Sequence, residues 1–169
     1  MQNWVIESKK GISAVVATVL MILITVAAVT IIWAAIIPLI NNQLDKGQAC
    51  FDAISQVSLP DQGYSCVSFD GKNATLQIKR GSLDIELVDA QVIFSSSGNS
   101  YSFALSDPTT TIIPSGEITF PHVNEERVYV IDTSSITGKI ETVKIAPVVQ
   151  IGNSQEVCDV SSSRNLKVC

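Results

Sequence analysis

This sequence is poor in histidine, in aromatic residues and in positive charge, and each shortage argues against a class of function. Among 169 residues there is one histidine, His122, and the aromatic residues make up 6%. A single histidine excludes a metal site with two histidine ligands, and no Gly-x-Ser-x-Gly, phosphate-loop or dinucleotide-binding motif occurs. Acidic residues outnumber basic ones by 16 to 11, which argues against nucleic acid as a partner. We therefore expect no enzyme, no cofactor and no metal ion.

Charged residues are absent from a long stretch near the N-terminus. No Asp, Glu, Lys or Arg occurs between Lys10 and Asp45, and 24 of the 29 residues from 12 to 40 are apolar. The stretch raises the mean hydropathy of the whole chain to +0.33. Residues 12–44 would form roughly 50 Å of helix, well beyond the ~30 Å hydrocarbon core of a bilayer. The sequence predicts a membrane-spanning helix over 12–44 that is longer than one span needs.

The residues that flank this helix predict its orientation. Lys9 and Lys10 immediately precede it, whereas Asp45 and Lys46 cancel each other after it. Because positive charge is retained on the cytoplasmic side, we expect a cytoplasmic N-terminus and an extracellular remainder of the chain. Pro38 lacks a backbone donor and should loosen or kink the helix near its end.

Three interpretations of the apolar stretch compete: a cleaved secretory signal, a plain membrane anchor, and a helix that is retained after cleavage in front of it. The apolar core of a secretory signal has about 7–15 residues, roughly half the length found here. The third interpretation comes from Lys9-Lys10-Gly11 directly before the stretch, with Ile12-Ser13-Ala14 after it. This arrangement resembles the class III signal peptide of the archaeal type IV pilin and archaellin family, over about 35 residues from Lys9 to Gln43.

The resemblance implies that a prepilin peptidase cuts between Gly11 and Ile12, so that residues 1–11 are a leader and the mature chain keeps its helix. A glycine before the cut would let the protease approach the backbone closely. Bacterial pilins usually carry Glu at the fifth mature position, where this sequence has Val16, which favours the archaeal branch. The implied partners are the prepilin peptidase, a pilus assembly ATPase with its membrane platform protein, and further copies of this chain.

On this resemblance we expect a pilin, a structural subunit of a filament on the cell surface that serves adhesion or surface contact. The precursor would lie in the membrane, and the mature subunit would lie in an extracellular filament with the helices at its core. The same residues also allow a different class of protein, a membrane-anchored extracellular binding domain with a single helix that never polymerises.

After a linker at 45–49, residues 50–169 predict a β-rich head domain. Runs of β-branched and aromatic residues alternate with turn residues such as Asp70-Gly71. The predicted strands are Tyr64–Phe69, Ala74–Lys79, Asp84–Phe94, Tyr101–Leu105, Glu117–Phe120, Arg127–Ile131 and Lys139–Val149. About seven strands at this spacing indicate an antiparallel β-sandwich, so the fold class is α+β. An immunoglobulin-like topology is one option, although the Cys–Trp–Cys pattern of such domains is absent.

All four cysteines, Cys50, Cys66, Cys158 and Cys169, lie in the part that we expect to be extracellular, where an even number predicts disulfides. Their spacings do not fit the closely spaced cysteine pairs of zinc sites. We favour the pairs Cys50–Cys66 and Cys158–Cys169, because each closes a short loop. The long-range alternative, in which the two earlier cysteines pair with the two later ones, stays open.

One N-glycosylation sequon with a permitted middle residue occurs, Asn73-Ala74-Thr75. It follows the turn predicted at Asp70-Gly71, where an attached glycan would be exposed. Together with the expected extracellular location, this predicts glycosylation of Asn73.

Overall fold

The computed structural model describes residues 13–108, 110–113 and 118–169. The chain divides into two compact units with the boundary between Gln43 and Leu44. Lys9, Lys10, Gly11 and Ile12 lie outside the described residues.

The first unit is helical. Helix α1 runs over Ala14–Ile31, a π-helical turn follows at Ile32–Ile36, and helix α2 begins at Ile37. The hydroxyls of Thr18, Thr25 and Thr30 each donate to the carbonyl three residues earlier, at 2.8–2.9 Å, so these polar groups are satisfied within the helix. The predicted loosening near Pro38 is confirmed: the wider π turn ends two residues before the proline, which has no N–H and crowds the carbonyl four residues back.

The helix α2 extends over Ile37–Gln56, twelve residues past its predicted end at Leu44, and the predicted linker at 45–49 lies inside it. In its last turns Ala53 and Gln56 are buried and Ala49 is half-buried. These positions are three and four residues apart, so they share one face of the helix, which packs in the core of the second unit. Two alanines and a glutamine contribute little hydropathy, and for that reason the sequence pattern did not reveal this face.

Two β-sheets make up the rest of the second unit among the described residues. The first has the strand order β11-β2-β3-β7-β6, and β1 also pairs with β3. The second has the order β10-β8-β4-β5, and β9 also pairs with β8. All the pairs are antiparallel except β11–β2. The strands are β1 Val57–Ser58, β2 Cys66–Val67, β3 Asn73–Arg80, β4 Leu87–Ser96, β5 Asn99–Ala104, β6 Thr110–Ile113, β7 Glu126–Asp132, β8 Ile140–Ile151, β9 Ser154–Val157, β10 Ser162–Asn165 and β11 Lys167–Val168.

Alternate residues of the long strands point into one shared core, as the pleat of a strand requires. Leu76 and Ile78 of the first sheet belong to the same buried cluster as Val92, Phe94 and Ile145 of the second. The predicted fold class is therefore confirmed: a long apolar N-terminal helix is followed by an α+β domain in which two antiparallel-rich sheets enclose the core. Of the predicted strand Glu117–Phe120, Glu117 lies outside the described residues and the other three are not in a strand.

Two turns contain residues with positive φ. Ser97 and Gly98 both have positive φ, 49° and 84°, and form the two-residue turn between β4 and β5. At the other turn Gly71 has φ 71°, and its N–H donates to the carbonyl of Ser68. Glycine takes these left-handed conformations at little cost.

Candidate functional site

The first helical unit exposes apolar side chains on every side. No residue of α1 is buried, and consecutive large residues such as Met21, Ile22, Leu23 and Ile24 are all more than half exposed. Successive helical residues are rotated by about 100°, so a run of this kind covers the whole circumference. A helix that is apolar all round needs lipid or other apolar surface against it.

The length of this helix exceeds a single membrane span. The continuous helix Ala14–Gln56 has 43 residues and is long and apolar enough to cross a membrane by length and composition. In the bilayer its backbone groups are satisfied internally, and each Leu, Ile or Val near the centre favours insertion by about 0.3–0.6 kcal/mol. Ser13 to Leu44 contains no ionisable side chain to oppose insertion. The helix is therefore suited to anchor the protein in a membrane.

The cysteines form two disulfides, and the favoured short-loop pairing is wrong. Cys50 is bonded to Cys158 and Cys66 to Cys169, with sequence separations of 108 and 103 residues. In both bonds the Cα atoms are 5.2 Å apart, within the usual range for disulfides. The structure therefore has the long-range alternative, in which each early cysteine pairs with a late one.

The sheet topology explains this pairing. The last strand, β11, lies parallel to β2, with Lys167 beside Cys66, and the N–H of Cys169 donates to the carbonyl of Val67 at 2.9 Å. This places Cys169 next to Cys66 although they are far apart in sequence. The length of the loop that each disulfide closes did not predict the pairing, because the fold brings the beginning and the end of the second unit together.

An ion pair accompanies one of these disulfides. Lys46 donates to the Glu156 carboxylate at 2.8 Å, and both side chains are about 40% exposed. Lys46 precedes Cys50 by one helical turn, and Glu156 precedes Cys158 by two residues, so the ion pair and the disulfide join the same two segments. An exposed pair of this kind contributes about 0.2–1 kcal/mol, which makes the disulfide the main connection.

Asn73 of the predicted sequon is exposed at the start of β3. Its backbone N–H donates to the Ser68 hydroxyl at 3.1 Å, and its carbonyl accepts from the Ser68 N–H at 2.8 Å. The adjacent turn is held by Asp70, whose carboxylate accepts from the Ser68 hydroxyl and the Lys72 N–H and whose pKa is lowered by these bonds. The sequon therefore lies on an ordered and accessible turn, and its glycosylation stays a prediction.

His122 lies in a turn that a neighbouring carboxylate orders. Among the described residues, no three His, Cys, Asp or Glu side chains are grouped so that they could hold a metal ion. The carboxylate of Glu125 accepts from the backbone N–H of His122 at 2.6 Å and from Arg127 at 2.6 Å, which lowers its pKa. This carboxylate orders a turn next to β7.

No protein-family model matches this sequence, and no curated protein matches it significantly. The function is therefore inferred from the residues and the geometry above.

Proposed function

We propose that this protein is a pilin, the structural subunit of an archaeal type IV pilus-like surface filament that serves adhesion or surface contact. The single observation that carries the proposal is the helix that is apolar on every side, is longer than a membrane span and leads into a disulfide-bonded β domain. A helix of this kind is stable in lipid before assembly and equally stable among copies of itself afterwards.

The motif before the helix supports processing by a prepilin peptidase. Lys9-Lys10-Gly11 stands directly before the uncharged stretch, so cleavage after Gly11 would remove the positive charges that hold the N-terminus in the cytoplasm. The mature helix would then begin at Ile12 without a charged side chain before Asp45. Extraction from the membrane by the assembly ATPase and its platform protein would meet no charged side chain along this length.

The disulfides support an extracellular location of the head. Such bonds persist in oxidising compartments outside the cytoplasm, and both lie in the second unit. An extracellular head and a cytoplasmic N-terminus together require one crossing of the membrane, which the helix provides.

The mass of the mature protein tests the proposal. Protein isolated from native membranes or filaments should lack Met1–Gly11 and begin at Ile12. If Lys9-Lys10-Gly11 is still attached in the mature protein, the proposal is wrong and the anchored, non-polymerising domain is preferred.

A glycine pair gives a matched genetic test. Gly11→Val should block cleavage and leave the full-length precursor in the membrane, because a branched side chain hinders access to the scissile bond. Gly47→Ala is the control, since a Cβ added at Gly47 meets no atom within 4 Å. The control should be cleaved and should assemble into filaments visible by electron microscopy, whereas the Gly11 variant should give none.

A further inference from the structure

A cleft on the head carries a buried positive charge that lacks a negative partner. Arg80, the last residue of β3, is only 8% exposed. Its Nη1 donates to the carbonyl of Pro121 at 3.2 Å and its Nη2 to the carbonyl of Ile85 at 2.7 Å. Its guanidinium carbon lies 6.0 Å from the centre of the Phe120 ring, and its Nε has no hydrogen-bond partner. All these contacts are neutral.

No carboxylate lies within ion-pair distance of Arg80 in the part of the chain that the structure describes. Asp89 lines the same cleft, but its carboxylate accepts from the Ala90 N–H at 2.8 Å and from the N–H and hydroxyl of Ser106 at 3.2 and 2.7 Å. Buried charges in proteins are ordinarily paired, because an uncompensated charge is costly to bury. The unbalanced guanidinium therefore points to an anion from outside the described residues.

The cleft has the size and lining of a site for a small polar molecule. Its volume is about 360 Å³, within the range of ligand pockets. The residues of the lining that offer polar or aromatic contacts are Arg80, Asp89, Ser106, Thr119, Phe120 and His122. An ionised carboxylate has about four acceptor positions, and Asp89 uses three, so one remains for a ligand hydroxyl.

We propose that this cleft binds a sugar acid, a molecule of monosaccharide size with one carboxylate and several hydroxyls. The carboxylate would lie toward Arg80, whose planar guanidinium suits it, and the hydroxyls would lie toward Asp89 and Ser106. Asp89 disfavours a phosphate monoester with two negative charges, because one guanidinium compensates only one of them. A neutral sugar would leave Arg80 uncompensated.

This inference goes beyond the proposed function and does not depend on it. All the residues that line the cleft belong to the second unit, so a filament subunit and an anchored monomer would bind the ligand equally. Failure of one proposal therefore leaves the other untouched.

His122 provides the readout, because it is the one histidine of the chain and it lines the cleft. The full chain, labelled at histidine and held in a non-ionic detergent without a sugar head group, is titrated with sodium glucuronate and followed by the imidazole NMR signals. Glucuronate should shift these signals with saturation, acetate should shift them more weakly, and glucose and inorganic phosphate should leave them unchanged. Equal effects of glucuronate and glucose, or no saturable shift with glucuronate, would overturn the proposal.

Variants separate a binding role of Arg80 from a structural one. Arg80→Gln should weaken glucuronate binding by about tenfold or more, as expected for loss of a charge-assisted hydrogen bond. Arg164→Gln is the control with the same change of net charge, since Arg164 pairs with Asp61 and does not line the cleft. If Arg80→Gln does not fold, Ser106→Ala, at an exposed position, replaces it as the test variant. Ser106→Ala should weaken the binding of glucuronate more than the binding of acetate. Unchanged affinity in the folded variant would count against the site.

One further variant tests whether the chain itself neutralises Arg80. Glu117 is close in sequence to Thr119 and Phe120 but lies outside the described residues. Glu117→Gln should bind glucuronate as the unmodified chain does. Binding that occurs only in this variant would overturn the proposal, because Arg80 would then already have its anion.

Discussion

The two units of this chain differ in whether their apolar side chains are exposed or buried. In the helix, Leu23 is 60% exposed and no residue of α1 is buried, whereas in the head Leu76 is fully buried at the centre of the first sheet. The head therefore buries a core of apolar side chains within its own fold. The apolar side chains of the helix need contact with lipid or with other apolar surface. This difference is why lipid and a bundle of like helices are both suitable environments for the first unit.

The disulfide cross-links are likewise found in only one of the two units, as far as the structure describes them. Both disulfides join parts of the second unit, and no described residue of the first unit is a cysteine. The head thus has two cross-links between its beginning and its end. We therefore expect the fold of the head to be the same whether the helix lies in lipid or among other helices.

Removal of the disulfides should produce the largest effect, and only in the head. Each bond closes a loop of about 100 residues, for which the chain-entropy model gives about 4–5 kcal/mol of stability. The double variants Cys50→Ser/Cys158→Ser and Cys66→Ser/Cys169→Ser should each lower the free energy of unfolding by an amount of this order. Hydrogen exchange of strands β4 and β8, measured in the full chain in micelles, reports this change while the exchange of α1 stays the same.

Peptide mapping without reduction is the control for that experiment. It should yield one linked peptide with Cys50 and Cys158 and another with Cys66 and Cys169. Peptides that join Cys50 to Cys66 would contradict this pairing, and no disulfide would then hold β11 beside β2.

The disulfide pairing is one of the features that the sequence could not predict, whereas several others follow from local patterns. The helix, its loosening near Pro38, the main strands and the turns follow from local patterns: uncharged length, a missing donor, alternation and left-handed glycines. The short strands β1, β9, β10 and β11 have only two to four residues. They exist because longer neighbours hold them, so no local pattern reveals them, and the pairing that depends on β11 could not be derived.

The cleft at Arg80 was missed for a related reason. In the sequence Arg80 is one of 11 basic residues, and nothing local indicates that it is buried. Its guanidinium is held by Ile85 and Pro121, which follow it by 5 and 41 residues in sequence and both supply carbonyls to it. Such a site is a product of tertiary structure alone.

A matched pair of leucines sharpens the comparison of the two units. Leu76→Ala removes a fully buried side chain and should lower the free energy of unfolding of the head by about 2–5 kcal/mol. Leu23→Ala makes the same chemical change on the exposed helix and should leave head unfolding unchanged. Hydrogen exchange of β3 and β7 distinguishes the two variants. Comparable destabilisation by both would mean that the units are not independent.

A charge in the helix should affect membrane insertion and leave the fold of the head unchanged. On the insertion scale, a lysine near the centre of a span costs about 2.5–3.5 kcal/mol. Ile24→Lys should therefore increase the fraction of the precursor that alkaline carbonate extracts from membranes, whereas the control Ile24→Leu should behave like the unmodified chain. The disulfides of the Lys variant, if it still reaches the oxidising side, should form normally. Insertion that is insensitive to Ile24→Lys would contradict a lipid-facing position for this part of α1.

Acid should produce the smallest effect, again confined to the head. The Arg127 guanidinium and the His122 N–H lower the pKa of Glu125, and Lys79 and Gln77 lower that of Glu126. A carboxyl whose pKa is lower in the folded state stabilises that state above its unfolded pKa, here an ordinary 4.5, and this contribution is lost as the pH falls through the folded pKa. Hydrogen exchange of β7 should therefore become faster, after correction for intrinsic rates, as the pH is lowered from 5 toward 3 (about the range of carboxyl titration). The described helix has no titratable side chain before Asp45, so the exchange of α1 should not change, and a parallel loss of protection in α1 would show that the helix depends on the head.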